Sequence, residues 1–157
     1  MKLKILVITA RYPPYHFGGY EIRSNDIMDE LFHRGHNILV ITSIKETSSK
    51  SLGRVANYKI LRKLHIRNKN YGVIGWLINR NRNRMLNLLL AFTSGLIHDL
   101  QDTRIIDQQI NNFQPDVIYT GHISCLSRTI MPYLGACKIP TVHDEGGAGL
   151  IDLREQK

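Results

Sequence analysis

A short glycine-rich stretch near the N-terminus carries the first groups that could bind a ligand. Gly18 and Gly19 are adjacent, and Glu21 follows two residues later. Two glycines let a ligand's phosphates approach the backbone, and a helix start directly after them adds free amides and a positive dipole end. A plain tight turn is the alternative. We expect Glu21 to be an acid that favours the helix dipole.

A histidine beyond a predicted strand is the second candidate. His122 comes just after the apolar stretch Asp116–Thr120. A neutral imidazole can donate or accept a hydrogen bond near pH 7, so His122 is our candidate catalytic residue. A structural or merely exposed histidine is the alternative.

Three more polar residues follow the last predicted strand. His143, Asp144 and Glu145 stand together, directly before a run of glycines. The two carboxylates could accept hydrogen bonds from ligand hydroxyls. An ordinary loop is the alternative.

The elements that must position these groups alternate between strands and helices. Strands are predicted at about Leu3–Thr9, Asn37–Thr42, Asn57–Lys63, Asp116–Thr120 and Ile139–His143. Helices are predicted at about Tyr20–Arg34, within Tyr71–Phe113, and at Ser124–Leu134, where Ser124 could cap the helix and Pro132 should bend or end it early. Gly35 suits the left-handed stop of the first helix.

This pattern predicts an α/β fold, a doubly wound Rossmann-like parallel sheet with helices on both faces. Right-handed crossovers give the strand order 3-2-1-4-5. The order reverses between the first and fourth strands, so their carboxyl ends should bring Gly18-Gly19 and Gly121-His122 to one crevice.

Two motifs then resemble a known family. Near the N-terminus these are Pro13, Pro14, Gly18, Gly19, Glu21, Arg34, Gly35 and His36; downstream they are Gln114–Tyr119, His122 and Lys138–Asp144. Both, in this order, are similar to the first domain of retaining GT-B glycosyltransferases of the group 1 / family 4 class. The middle of the chain, about Ser43 to Asn112, is generic.

The resemblance implies one acceptor-side domain, residues 1–157, that is incomplete at its C-terminus. It implies a nucleotide-diphosphate sugar as donor, a glycan or lipid acceptor hydroxyl, and neither cofactor nor metal. His122 would contact the transferring sugar, and an acceptor-binding role is open for Glu21. The family's second domain carries a Glu-x7-Glu pair, and no such pair follows a suitable strand here. We therefore expect a partner chain or further domain, and little or no activity alone. A noncatalytic subunit that docks on a membrane or partner is the alternative.

Positive charge is concentrated in the middle of the chain. The net charge is +8, and between Thr47 and His98 there are ten Lys or Arg residues and no Asp or Glu. We assign a basic surface patch to Arg54, Lys59, Arg62, Lys63, Arg67, Lys69, Arg80, Arg82 and Arg84. Such a patch suits an anionic membrane surface or a phosphorylated lipid, and a solvated face is the alternative. No signature of a nucleic-acid-binding motif accompanies it, so no nucleic-acid partner is expected.

An apolar stripe lies within that region at helical spacing. It comprises Met85, Leu88, Leu89, Phe92 and Leu96. We predict that it packs against the sheet; a membrane-surface helix flanked by arginines is the alternative.

Two cysteines, Cys125 and Cys137, show no zinc-ligand spacing and suit a reducing cytoplasm. The opening residues lack the pattern of a signal peptide. The predicted location is therefore cytoplasmic, with attachment to a membrane surface left open.

Overall fold

The computed structural model describes residues 1–15, 18–44, 56–66, 84–123 and 125–144. Along the chain the elements are β1 (Lys4–Ile8), α1 (Gly19–His33), β2 (Asn37–Ser43), β3 (Lys59–Leu64), α2 (Arg84–Phe113), β4 (Val117–Thr120), α3 (Ile130–Ala136) and β5 (Thr141–His143). None of these helices is both long and apolar enough to cross a bilayer.

The five strands form one parallel sheet in the order β3-β2-β1-β4-β5, which confirms the predicted topology. β1 lies at the centre, where Leu6 is in register with Leu39 of β2 and with Ile118 of β4. The strand order reverses between β1 and β4, so the fold opens a crevice at their carboxyl ends.

Alternate residues of β1 enter two separate cores. Ile5 and Val7 pack on the face that α1 covers with Met28. Leu6 and Ile8 pack on the other face, against residues of α2 and α3 such as Ile106. Because helices cover both faces, β1 is a continuous apolar run rather than an alternating one.

Both ends of α1 follow from local sequence. The carboxylate of Glu21 accepts a hydrogen bond from the Gly18 amide at 3.1 Å, which is one half of a capping box; Gly18 has no side chain to make the other half. At the other end Gly35 has φ +87°. Its amide donates to the Phe32 carbonyl and the His36 amide donates to the Leu31 carbonyl, so the predicted glycine stop is confirmed.

α3 begins later than predicted. It begins at Ile130 and ends at Ala136, whereas Ser124, the expected cap, lies outside the described residues. Pro132 therefore stands in the first turn, where its missing N–H would have had no partner in the helix. β5 is likewise shorter than predicted and begins at Thr141 rather than at Ile139.

α2 is a single 30-residue helix, and its first part does not pack as predicted. Phe92 and Leu96 were expected in the core, but they are 66% and 48% exposed. The buried positions are Ile106 and Ile110, further along. The side chains of Met85, Leu88 and Leu89, in the same predicted stripe, lie outside those that the structure describes.

The length of α2 explains this difference. The amide of His65, just past the end of β3, donates to the Asp102 carboxylate at 3.1 Å. At about 1.5 Å per residue, the part of α2 that precedes Asp102 extends about 27 Å beyond that point. Among the described strands, the sheet lies beneath only the second part of α2, so none of them meets its first part.

Candidate functional site

The crevice is built where β1 and β4 end. The Gly121 amide donates to the Ile8 carbonyl at 3.0 Å, and the Ala10 amide donates to the His122 carbonyl at 2.9 Å. These two bonds extend the pairing of the strands by one step and hold the His122 backbone beside β1. The His122 side chain itself is exposed.

The start of α1 lies at the same crevice. The ring of Tyr20, next to Gly19, is 6.1 Å from the His122 ring with an interplanar angle of 74°, an edge-to-face contact. The glycine pair and His122, about a hundred residues apart in sequence, are therefore close in space.

Neither crevice glycine is required by its backbone conformation. Gly18 has an extended backbone with φ −146°, and Gly19 is helical. A Cβ added at Gly19 would meet nothing within 4 Å. Both residues are exposed, and the Gly18 amide is occupied by the Glu21 carboxylate, so the amides left for a ligand are those of the next residues in the first turn of α1. Such amides, with the helix dipole, favour an anion.

Glu21 acts within the helix start. Its side chain caps the Gly18 amide, and the residue is only 6% exposed. This agrees with the prediction of a helix N-terminal acid.

Asp144 joins three elements at the edge of the crevice. Its carboxylate accepts hydrogen bonds from the Tyr119 hydroxyl of β4 and, at 3.4 Å, from the Arg23 guanidinium of α1. Its backbone carbonyl accepts one from the Tyr20 hydroxyl at 2.7 Å. Each carboxylate oxygen thus already has one protein donor and keeps one lone pair for a ligand hydroxyl. Tyr20, Arg23 and Tyr119 were not predicted, because their links to Asp144 connect residues distant in sequence.

His143 and Glu145 complete the predicted set. The His143 ring is exposed, and its Nδ1 is paired with the Thr120 hydroxyl. Glu145 lies outside the described residues.

Burial sets the ionisation of the two crevice tyrosines. It raises the pKa of Tyr20, and the negative charge of Asp144 adds to the effect. Burial also raises the pKa of Tyr119, and the hydrogen bond from Tyr119 to Asp144 raises it further. Both hydroxyls are protonated at neutral pH, as an ordinary tyrosine already is, and the raised pKa keeps them protonated as donors further into the alkaline range. Among the described residues at this end of the sheet, the ionisable side chains exposed to solvent include those of His122, His143 and Arg23.

One member of the predicted basic patch is a structural residue instead. Arg62 donates to the Tyr12 carbonyl at 3.1 Å and to the Pro13 carbonyl at 2.6 Å, and its guanidinium lies 4.8 Å from the centre of the Tyr15 ring. Burial lowers its pKa. Arg62 thus secures the segment that leads from β1 toward the glycine pair.

Lys59 and Lys63 are exposed, as a surface patch requires. Arg54, Arg67, Lys69, Arg80 and Arg82 lie outside the described residues, as does the side chain of Arg84.

A buried histidine–aspartate pair lies beside the end of β3. Asp102 is fully buried. Its carboxylate accepts a hydrogen bond from the His65 amide and pairs with Nδ1 of the His65 ring at 2.8 Å. The His98 ring stacks on the His65 ring at 4.3 Å. These two histidines are distant in sequence, and the structure brings their rings together. Within the described ranges, no three His, Cys, Asp or Glu side chains form a group that could hold a metal ion. Cys125 and Cys137 are not joined in a disulfide.

Comparison with known proteins adds one relative. No family model matches the chain. It is similar to a protein of Klebsiella pneumoniae described as "Uncharacterized 42.6 kDa protein in cps region", with 21% identity over 141 residues. The alignment covers 90% of this chain and 36% of the relative, so the chain spans about a third of the length of that protein.

Proposed function

We propose that this chain forms the acceptor-side half of a retaining, metal-independent glycosyltransferase. In the complete enzyme a sugar would move from a nucleotide-diphosphate donor to an acceptor hydroxyl. This half would contribute the amides in the first turn of α1 that follow the capped Gly18 amide, which attract a diphosphate, and the imidazole of His122 near the reacting hydroxyl.

The observation that carries the proposal is the 6.1 Å contact between Tyr20 and His122. It joins an anion-attracting helix start to an exposed imidazole at the switch point of a doubly wound sheet, where ligands of such folds bind. Asp144 adds carboxylate lone pairs suited to sugar hydroxyls.

The second half of the crevice would come from elsewhere. The Klebsiella relative is longer than the aligned region, since that region is 36% of it. A polypeptide of the relative's length has room for a further, donor-side domain. For the present protein, such a domain would lie opposite the crevice and belong either to the same polypeptide or to a partner chain.

A binding experiment tests the proposal. Amide resonances of the isotope-labelled chain would be followed by NMR during titration with UDP-glucose and GDP-mannose. We expect weak, saturable shifts of the amide resonances of Gly18, Gly19 and Gly121, because these residues lie at the crevice. His122→Ala should weaken the binding several-fold, whereas His33→Ala, an exposed histidine at the far end of α1, should leave it unchanged. The proposal is wrong if neither nucleotide sugar shifts the crevice amides at millimolar concentration, or if the shifts occur only outside the crevice.

A further inference from the structure

A groove lies at the edge of the sheet opposite the crevice, where β2 and β3 begin. It has a volume of about 330 Å³, at the lower end of the range for small-ligand sites. β2 begins at Asn37, whereas its pairing with β3 begins at Leu39. Both helices that cover the sheet end at this edge, and they contribute Phe32 of α1 and Phe113 of α2 to the lining. We call this groove the amino-edge groove.

Half-buried aromatic rings form the apolar part of the amino-edge groove. The rings of Phe32 and Tyr58 contact each other with their centres 5.6 Å apart, and the Tyr58 hydroxyl is hydrogen-bonded to the Tyr12 hydroxyl at 2.7 Å. Phe113, the last residue of α2, adds a third ring. Phe32 and Tyr58 pack against one core and Phe113 against the other, so the rings are held in place without a ligand. The electron-rich face of such a ring attracts C–H groups of a ligand.

Side-chain amides supply the polar part of the lining. They belong to Asn37, Asn57, Gln109 and Asn112. Within the described residues, none of these four amides is hydrogen-bonded to another protein group. Each has two N–H donors and a carbonyl acceptor. A ligand hydroxyl, which both donates and accepts, can therefore pair with any of them in either direction.

Charge and strand pairing narrow the class of ligand. Among the described lining residues the one charged side chain is that of Lys59, which is exposed. The lining therefore offers no carboxylate to a cation and one positive charge to an anion. An extended peptide would need a free strand edge, but β2 is already paired with β3 from Leu39 onward. The lining matches a neutral ligand that combines many hydroxyls with C–H faces, which is the chemistry of a carbohydrate.

We propose that the amino-edge groove binds a neutral oligosaccharide. The C–H face of a sugar ring packs on the aromatic rings, and its hydroxyls pair with the four amides. The groove and the crevice lie at opposite edges of the sheet, so this binding does not depend on sugar transfer.

An NMR titration with neutral trisaccharides tests the proposal. The probes are maltotriose, cellotriose and mannotriose at millimolar concentration, added to the isotope-labelled chain. We expect at least one of them to give saturable shifts of the side-chain amide resonances of Asn57, Gln109 and Asn112. The backbone amide of Gly121, in the crevice, should not move.

Two matched double variants of α2 locate the contact. Gln109→Ala with Asn112→Ala should weaken trisaccharide binding about tenfold or more, because two hydrogen-bonding groups are lost. Gln108→Ala with Asn111→Ala removes the same residue types one position earlier, outside the groove, and should leave the affinity unchanged. Circular dichroism and the melting temperature of each variant establish that it is folded.

Four results would overturn the proposal. The first is the absence of saturable shifts at the groove with every trisaccharide. The second is a set of shifts confined to the crevice, which would assign the sugar to that site. The third is an equal affinity of the two double variants. The fourth is an equally strong response of the groove to N-acetyl-alanine amide, which would show that the groove recognises peptide groups rather than sugars.

Discussion

The arginine of β3 shows how a charge counted as surface can be structural. The guanidinium of Arg62 presents two N–H groups to consecutive carbonyls, those of Tyr12 and Pro13. A lysine keeps the positive charge but lacks this planar fork. Arg62 therefore supports the wall of the crevice through its shape as well as its charge.

Arg62→Lys should consequently destabilise the protein. We expect a loss of about 1–3 kcal/mol in the free energy of unfolding, the range for a charged hydrogen bond whose partner is left unpaired. Urea denaturation measures it. Lys63→Arg, at the exposed neighbouring position, should stay within about 0.5 kcal/mol. Equal effects at both positions would contradict the structural role of Arg62.

Gly121 is the crevice glycine that the packing requires. A Cβ there would lie 3.0 Å from Thr9 Oγ1 and 3.2 Å from Thr9 Cβ, and Thr9 is itself buried. Gly121→Ala should therefore cost about 1–3 kcal/mol of stability through overpacking. Gly135→Ala in α3 is the matched control, because a Cβ at this position meets nothing within 4 Å. This substitution should stabilise the protein by about 0.5–1 kcal/mol. Thermal or urea unfolding of both variants would reveal opposite signs, and a neutral Gly121→Ala would be incompatible with this packing.

At the scale of elements, α2 is divided between two environments. Its second part buries Ile106 and Ile110 against the sheet, and its first part exposes Phe92 and Leu96. The His65–Asp102 pair stands at the boundary, where β3 ends. The pair therefore fixes the position at which α2 leaves the sheet.

Protonation of His98 should weaken this junction. Burial and the neighbouring His65 lower the pKa of His98 from its ordinary value, against a smaller opposing effect of Asp99. The folded state then binds the proton less tightly than the unfolded state, so stability is lost as the pH falls through the unfolded value of about 6.5. Burial raises the pKa of Asp102, so protonation of Asp102 favours the folded state and opposes the effect of His98 as the pH falls.

Urea denaturation at a series of pH values from neutral to mildly acidic tests this prediction. His98→Phe keeps an aromatic ring against His65 but cannot titrate, and it should lose less stability than the unmodified chain over that interval. His33→Phe, at an exposed site, is the control and should follow the unmodified chain. Parallel curves for the unmodified chain and His98→Phe would remove His98 as the cause.

For the whole molecule, the crevice is open on the side away from the sheet in the described residues. Transfer chemistry needs a donor held in line with the acceptor and water excluded from the reacting atoms. Within the described residues only one wall is present, formed by α1, β1 and β4 with the residues that follow them.

The 157-residue chain alone should consequently show no transferase activity. Incubation with UDP-glucose or GDP-mannose should release no nucleoside diphosphate above the blank, measured by a coupled assay. A longer protein that contains this domain, assayed in the same way, is the positive comparison. Turnover by the isolated chain would mean that one wall suffices and would contradict the proposed division into halves.

Much of this architecture could be predicted from sequence. The apolar run Ile5–Ile8, the stop at Gly35 and the glycine pair at Gly18 are local signals, because each depends on residues within a few positions of one another. With right-handed crossovers they determined the strand order and placed the start of α1 and His122 at one crevice.

Only the tertiary structure decided which residues form long-range hydrogen bonds and which are exposed. The partners of Asp144 and Arg62 lie between 25 and 124 residues away in sequence, so no local pattern encodes them. The apolar spacing of Phe92 and Leu96 predicts one face of a helix but not what that face meets. What that face packs against depends on the length of α2 relative to the strands beneath it, and that is a property of the assembled sheet.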